Sequence, residues 1–306
     1  MSFEILSERI AKLENPTVMG LDPKLEYIPE SILAAAVEEY GETFKAAGEA
    51  IFEFNKGLID AAAGLVPAVK PQSAFYEMYG IEGMKALDRT IAYAKEAGLY
   101  VILDVKRNDI GTTAEAYARA YIGKTELFGN QVEANPGIDC LTVNPYLGID
   151  GIKPFVDTAA EHGKSMFILV KTSNPSSGDF QDIEFEGKTL YRRVAEKVEE
   201  WGADHIGASG YSPCGAVVGA TYPKQLEELR AAMPHTFFLI PGYGAQGGAA
   251  AGIVPAFDKN GGGAIVNNSR ALMCAYKKQN DPDNYKTHTK NAIIAMREDL
   301  MGAIKA

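Results

Sequence analysis

Cysteine is scarce in this 306-residue chain. There are three, Cys140, Cys214 and Cys274, far apart and odd in number. That excludes a disulfide framework and leaves no metal-ligand spacing, so reduced core thiols in a cytosolic protein are expected. Histidine is sparse too. His162, His205, His235 and His288 are scattered, so a catalytic or metal-binding histidine is not expected. No apolar run is long enough to span a bilayer. The opening segment "MSFEILSERIAKLENP" has no basic start, apolar centre and small-residue cleavage site; it reads as a short amphipathic helix rather than a signal peptide. Nor is there an excess of positive charge. Thirty Lys and Arg face forty Asp and Glu, a net charge of -10, which argues against a nucleic-acid binder. An anionic small molecule remains open, because a few local cations outweigh a distant acidic surface.

What is present is a globular composition, 46% hydrophobic, ample for a sizeable core. Short β-branched runs predict strands at 17–22, 66–70, 99–106, 139–145, 166–172, 205–210, 236–242 and 263–269. Between them, "MKALDRTIAYAKEAG", "TLYRRVAEKVEEWG" and "PKQLEELRAAM" repeat apolar residues at three and four positions, the helical period. Apolar strands alternating with amphipathic helices predict a parallel sheet covered by helices. Eight such units point to a closed (β/α)₈ barrel, the α/β TIM-barrel class, as one domain over 1–306. An open doubly wound sheet fits less well, since no early GxGxxG turn is present. The connections 23–65 and 113–138 read as long helical insertions. "SNPSSGDFQDIEFEGK" reads as a loop, and the tail after 275 as a polar turn and a final helix.

In such a barrel the active site forms at the carboxyl ends of the strands. The polar residues there are Asp22, Lys70, Asp104, Lys106, Lys171, Thr172, Ser173 and the segment Asn267, Asn268, Ser269, Arg270. "DVKRNDIGTT", 104–113, packs charges of both signs directly after the apolar "LYVIL". Residues two apart on a strand share a face, so Asp104 and Lys106 point together and Val105 points away. Lys70 on the adjacent strand can join them in a Lys–Asp–Lys cluster. A structural ion-pair network is the plainer reading; convergence at the expected end of the barrel favours a functional one. "PGYGAQGG" and "NNSR" follow the seventh and eighth strands, where barrel enzymes often hold phosphate through backbone N–H groups and an arginine fork.

These residues together resemble the orotidine 5′-phosphate decarboxylase family. "LDVKRNDIGTT" is similar to its DxKxxDIxxT signature. "GLDPKL", "AVKPQSAFYE", "VNPYLGIDG", "VKTSNPSS", "IPGYGAQGG" and "IVNNSRA" follow in the family's order over nearly the whole chain, and several look like its longer bacterial branch. The resemblance implies a charged tetrad of Lys70, Asp104, Lys106 and Asp109, with Lys106 as proton donor. It implies that Asp109, Ile110 and Thr113 reach into the partner's site of a homodimer. It further implies a ribose contact from Asp22, a pyrimidine contact from Ser173, phosphate contacts from Gln246 and Arg270, and substrate binding by Pro241, Gly247 and Ser269. "NNSR" stands where the short-chain branch has a "GR" pair.

The implied reaction is decarboxylation of orotidine 5′-phosphate to UMP, the last step of de novo pyrimidine synthesis, in a cytoplasmic enzyme with neither metal nor organic cofactor. Negative charge then develops on a ring carbon, and preorganised charges must stabilise it. Two other readings stand beside this one. Metal-dependent sugar-phosphate decarboxylases and aldolases share DxKxxD, but usually carry an acidic residue where this chain has Leu103. A non-catalytic nucleotide-binding barrel would have no need of a lysine between two aspartates.

Overall fold

A computed structural model describes residues 2–135, 137–221, 223–244 and 250–306. Eight strands form the barrel: β1 (Thr17–Leu21), β2 (Ala68–Pro71), β3 (Tyr100–Arg107), β4 (Cys140–Val143), β5 (Ser165–Lys171), β6 (Cys214–Val218), β7 (Phe238–Ile240) and β8 (Ala264–Asn268). Each pairs in parallel with its neighbour in sequence, and β8 closes on β1 through Thr17 opposite Val266. The intervening chain supplies the outer helices, among them α1 (Ser2–Leu13), α2 (Glu30–Tyr40), α3 (Phe44–Ala62), α4 (Gly80–Glu96), α5 (Gly111–Ile122), α6 (Ile149–His162), α7 (Leu190–Gly202), α8 (Pro223–Ala232) and α9 (Tyr285–Lys305).

Side chains alternate inward and outward along the strands, as period-2 geometry requires. Val69, Val101, Leu103, Val105, Leu141, Ile168 and Val266 pack outward under the helices. Val18, Ala68, Tyr100, Ile102, Cys140, Phe167, Leu239 and Ile265 fill the interior. The amphipathic α1 closes the amino-terminal mouth: Phe3 lies 5.0 Å, centroid to centroid, from both Phe167 and Phe237, and Leu6 joins the same cluster. Beside it the Tyr100 hydroxyl meets Ser2 Oγ at 2.5 Å and Ser165 Oγ at 2.8 Å. The lower half of the barrel is thereby a packed, hydrogen-bonded solid.

Four expectations need correction. The sixth strand is not "HIGASG" at 205–210. Ala203–His205 is a 3₁₀ turn, Gly207 and Gly210 form a tight turn, and the strand is "CGAVV", every residue of it buried. A strand covered on both faces needs a near-continuous apolar run, which the glycine-broken segment lacks. The 113–138 connection is helical only to Ile122; Thr125–Leu127 and Asn130–Val132 then form an antiparallel hairpin. The 173–188 loop likewise carries a short hairpin, Glu184–Phe185 with Lys188–Thr189. The final helix begins at Tyr285, within the segment read as a turn. None of the described helices is long and apolar enough to cross a membrane.

Candidate active site

On β3 the inward parity that begins with Tyr100 and Ile102 continues as Asp104, and here the barrel interior turns from apolar to charged. Asp104 Oδ2 accepts from Lys70 Nζ at 2.9 Å, and Oδ1 accepts from Lys106 Nζ at 2.7 Å. The sequence-derived Lys–Asp–Lys cluster therefore exists. Lys70 and Asp104 are 5% and 8% exposed, so neither charge survives there unpaired. Burial alone pushes the Asp104 carboxyl up, but the two ammonium groups outweigh it and hold the pKa far below the usual carboxylate range. Burial likewise disfavours the Lys70 cation, and the negative charges of Asp104 and then Asp22 more than restore it. The Lys106 side chain, by contrast, is half-exposed, with its ammonium anchored on Asp104.

The backbone is unusual at this point. Lys106 has φ +46°, in the left-handed region that a residue with a Cβ rarely adopts. Thr142, inward-facing on β4, donates its hydroxyl to Asp104 Oδ1 at 2.8 Å and accepts from the N–H groups of Val105 and Lys106. Arg107 turns away: it donates to Tyr121 and pairs with Glu77 at 3.2 Å.

A cleft of about 350 Å³ opens among the ends of β1, β5, β7 and β8, lined by Asp22, Ser173, Pro241, Asn267, Ser269 and Arg270 among others. These six residues, all singled out in the sequence, thus meet in one concavity. Asp22 Oδ1 and Asn267 Oδ1 are buried without a hydrogen-bond donor. An unmet buried acceptor costs about 1–3 kcal/mol, so both atoms favour a ligand that brings hydroxyl or amide hydrogens. Gly20 lets β1 approach β8 here, because a Cβ would stand 1.9 Å from Ser269 Oγ. A larger groove, about 720 Å³, runs along α5 and α6 past Ile110, Arg119, Lys124, Asp150, Lys153 and His162. Its charges are mixed and, among the described residues, no barrel strand lines it, so size does not identify the chemistry.

Asp109, Ile110 and Thr113 are not gathered with the others. Asp109, half-buried, and Ile110, exposed, lie on the turn between β3 and α5, where Asp109 Oδ1 accepts from the Ile110 N–H, and Thr113 is exposed in the first turn of α5. Gln246 and Gly247 lie outside the described residues. Two features escaped the sequence reading. Thr142 looked like an ordinary strand residue; its one signal was a lone hydroxyl at inward parity in an apolar strand. Lys24 lines the cleft with its ammonium 5.4 Å from the Tyr27 ring and 5.9 Å from the Phe75 ring, and "GLDPKL" gave no reason to single it out.

Residues 49–283 match the family described as orotidine 5′-phosphate decarboxylase / HUMPS. The orotidine 5′-phosphate decarboxylase of Rhodopirellula baltica is 46% identical over 303 residues, covering 97% of this chain and 98% of that one. The solved structure of Leishmania donovani OMP decarboxylase matches with a TM-score of 0.72 at 32% identity, over 97% of this chain and 98% of that one. Leishmania donovani UMP synthase matches with a TM-score of 0.73 at 33% identity, over 96% of this chain but 56% of that longer one.

Proposed function

The chain belongs to the orotidine 5′-phosphate decarboxylase / HUMPS family, and from that premise we propose how its charged array performs the reaction. The activity is a carboxy-lyase step of pyrimidine biosynthesis, conversion of orotidine 5′-phosphate to UMP. The observation that carries the mechanistic reading is the buried carboxylate of Asp104 held between two ammonium groups at 2.9 and 2.7 Å. The bond between the pyrimidine ring and its carboxylate breaks, carbon dioxide leaves, and the electron pair stays on the ring carbon. The Lys106 ammonium stabilises that carbanion and transfers a proton to it; water later returns a proton to the amine. Asp104, ionised throughout, keeps the Lys106 ammonium aimed. Lys70 balances the buried carboxylate.

The unmet acceptors of Asp22 and Asn267 suit ribose hydroxyls, and Ser173 suits the pyrimidine edge. Arg270 and Ser269, with Pro241, Gln246 and Gly247, take the phosphate, whose binding energy supports the remote reacting end. Asp109, Ile110 and Thr113 serve the partner's site in a homodimer; the exposure of Ile110 and Thr113 and the absence of all three from the lining of the cleft, among the described residues, support that reading. The enzyme works in the cytoplasm without a cofactor. Leu103, buried against the helix layer, stands where metal-using relatives of this barrel usually place an acidic residue.

The test is UMP and carbon dioxide formation from orotidine 5′-phosphate after exhaustive chelation. Full activity is expected; loss on chelation with recovery on adding magnesium would favour the sugar-phosphate chemistry. The shared site has its own test. Lys106→Ala and Asp109→Ala, each inactive, are mixed under conditions of subunit exchange. Half the dimers become mixed and half their sites intact, so roughly a quarter of wild-type activity returns. No recovery despite demonstrated exchange would place Asp109 in its own chain's site.

A further inference from the structure

We propose that Thr142 is a positioning residue for the decarboxylation, a hydroxyl clamp that sets the backbone at Lys106 and the carboxylate of Asp104 in one geometry. The proposal rests on the reading of Lys106 as proton donor. Its basis is the register between β3 and β4. Leu103 stands opposite Leu141, yet the next pair is Arg107 opposite Val143. β3 advances four residues where β4 advances two, so β3 bulges over Asp104, Val105 and Lys106. Such bulges re-aim side chains, and they leave ladder groups in need of other partners.

Thr142 supplies those partners. Its Oγ1 accepts from the Val105 N–H at 3.0 Å and the Lys106 N–H at 2.9 Å, and donates to Asp104 Oδ1 at 2.8 Å. A hydroxyl has one hydrogen and two lone pairs, and all three are used. The side chain is 1% exposed, so water does not replace it. Lys106 at φ +46° is held against the preference of any residue with a Cβ, and such a conformation persists only where the surroundings impose it. Both N–H groups lie on the N-terminal side of that strained N–Cα bond, the second on the nitrogen of the bond itself. The third bond reaches the same carboxylate oxygen that Lys106 Nζ uses at 2.7 Å. One atom of β4 thus fixes both ends of the Lys106–Asp104 pair without touching the substrate cleft.

Thr142→Val keeps the shape and removes all three bonds, whereas Thr142→Ser keeps the hydroxyl and removes a methyl group. For Thr142→Val, kcat should fall about 10- to 100-fold while UMP affinity stays near wild type, as expected for misplacement of a reacting group by about an ångström. Thr142→Ser should restore kcat to within about threefold of wild type. If Thr142→Val fails to fold, Thr142→Ala, which also lacks the hydroxyl, replaces it under the same expectations. Wild-type kcat in a folded hydroxyl-free variant overturns the proposal. So does a Thr142→Ser defect as deep as that of Thr142→Val, or a loss confined to UMP binding. A wild-type protein that makes no UMP in the same assay overturns the proposed function and this inference together; an active wild type beside an unaffected Thr142→Val overturns this inference alone.

Discussion

At the amino-terminal end of the barrel the inward positions are Val18, Ala68, Tyr100, Cys140 and Phe167, and α1 lays Phe3 and Leu6 across them. At the carboxyl end the same parity on the same strands presents Lys70, Asp104 and Thr142. Below, the inward hydroxyls of Tyr100 and Ser165 are neutral and hydrogen-bonded, to each other and, through Tyr100, to Ser2. Above, Asp22 and Asn267 keep buried acceptors without donors, and Lys106 occupies a left-handed conformation. The difference teaches that one alternating pattern serves two purposes. The lower layers pack apolar side chains inward and hold the strands in place. The upper layer departs from that packing where a ligand is to supply what is missing.

Substitutions at the two ends should therefore separate stability from turnover. Asp104→Ala should show the largest effect, because it strikes both. It strands the buried Lys70 cation, at about 3–5 kcal/mol of stability, and abolishes measurable turnover. Denaturant unfolding and UMP formation check the two halves, and a stable, active variant would erase the distinction. Phe3→Ala should cost about 3–5 kcal/mol by opening a cavity in the plug, with kcat per folded molecule unchanged. Arg270→Ala should leave stability within about 0.5 kcal/mol. It should lower kcat/KM for orotidine 5′-phosphate about 10- to 100-fold while sparing unphosphorylated orotidine. Equal loss on both substrates would make Arg270 structural.

The smallest effect concerns pH. The folded state depresses the Asp104 pKa, so its stabilising contribution is complete above the unfolded carboxylate value near about 4 and is lost only as pH falls through the lower folded value. Acidification from about pH 8 to about pH 5 should leave that contribution intact in thermal unfolding curves. A fall in that window that Asp104→Asn abolishes would contradict the ion-pair assignment.

Much of this was legible in the sequence because it is local. The parity of Asp104 and Lys106 follows from a two-residue spacing, and α1 from its apolar period. The misplaced sixth strand shows the limit of short runs. "HIGASG" and "CGAVV" differ little in length, and burial on both faces decides between them. The Thr125–Val132 hairpin turns through Phe128 and Gly129, both at positive φ, without the Asn-Gly signal that such turns usually carry. Thr142 was hidden because its partners lie 36 to 38 residues away across a bulge that no periodicity announces. The cleft residues come from the ends of four strands, and only closure of the barrel makes them neighbours.

The most direct measurement is turnover of orotidine 5′-phosphate by Lys106→Ala, normalised to folded protein and paired with UMP affinity. If the upper layer is the reacting array, kcat falls roughly 10⁴-fold or more while UMP still binds and the lower barrel unfolds as in the wild type. A folded Lys106→Ala protein that turns over at a near-normal rate would contradict the account.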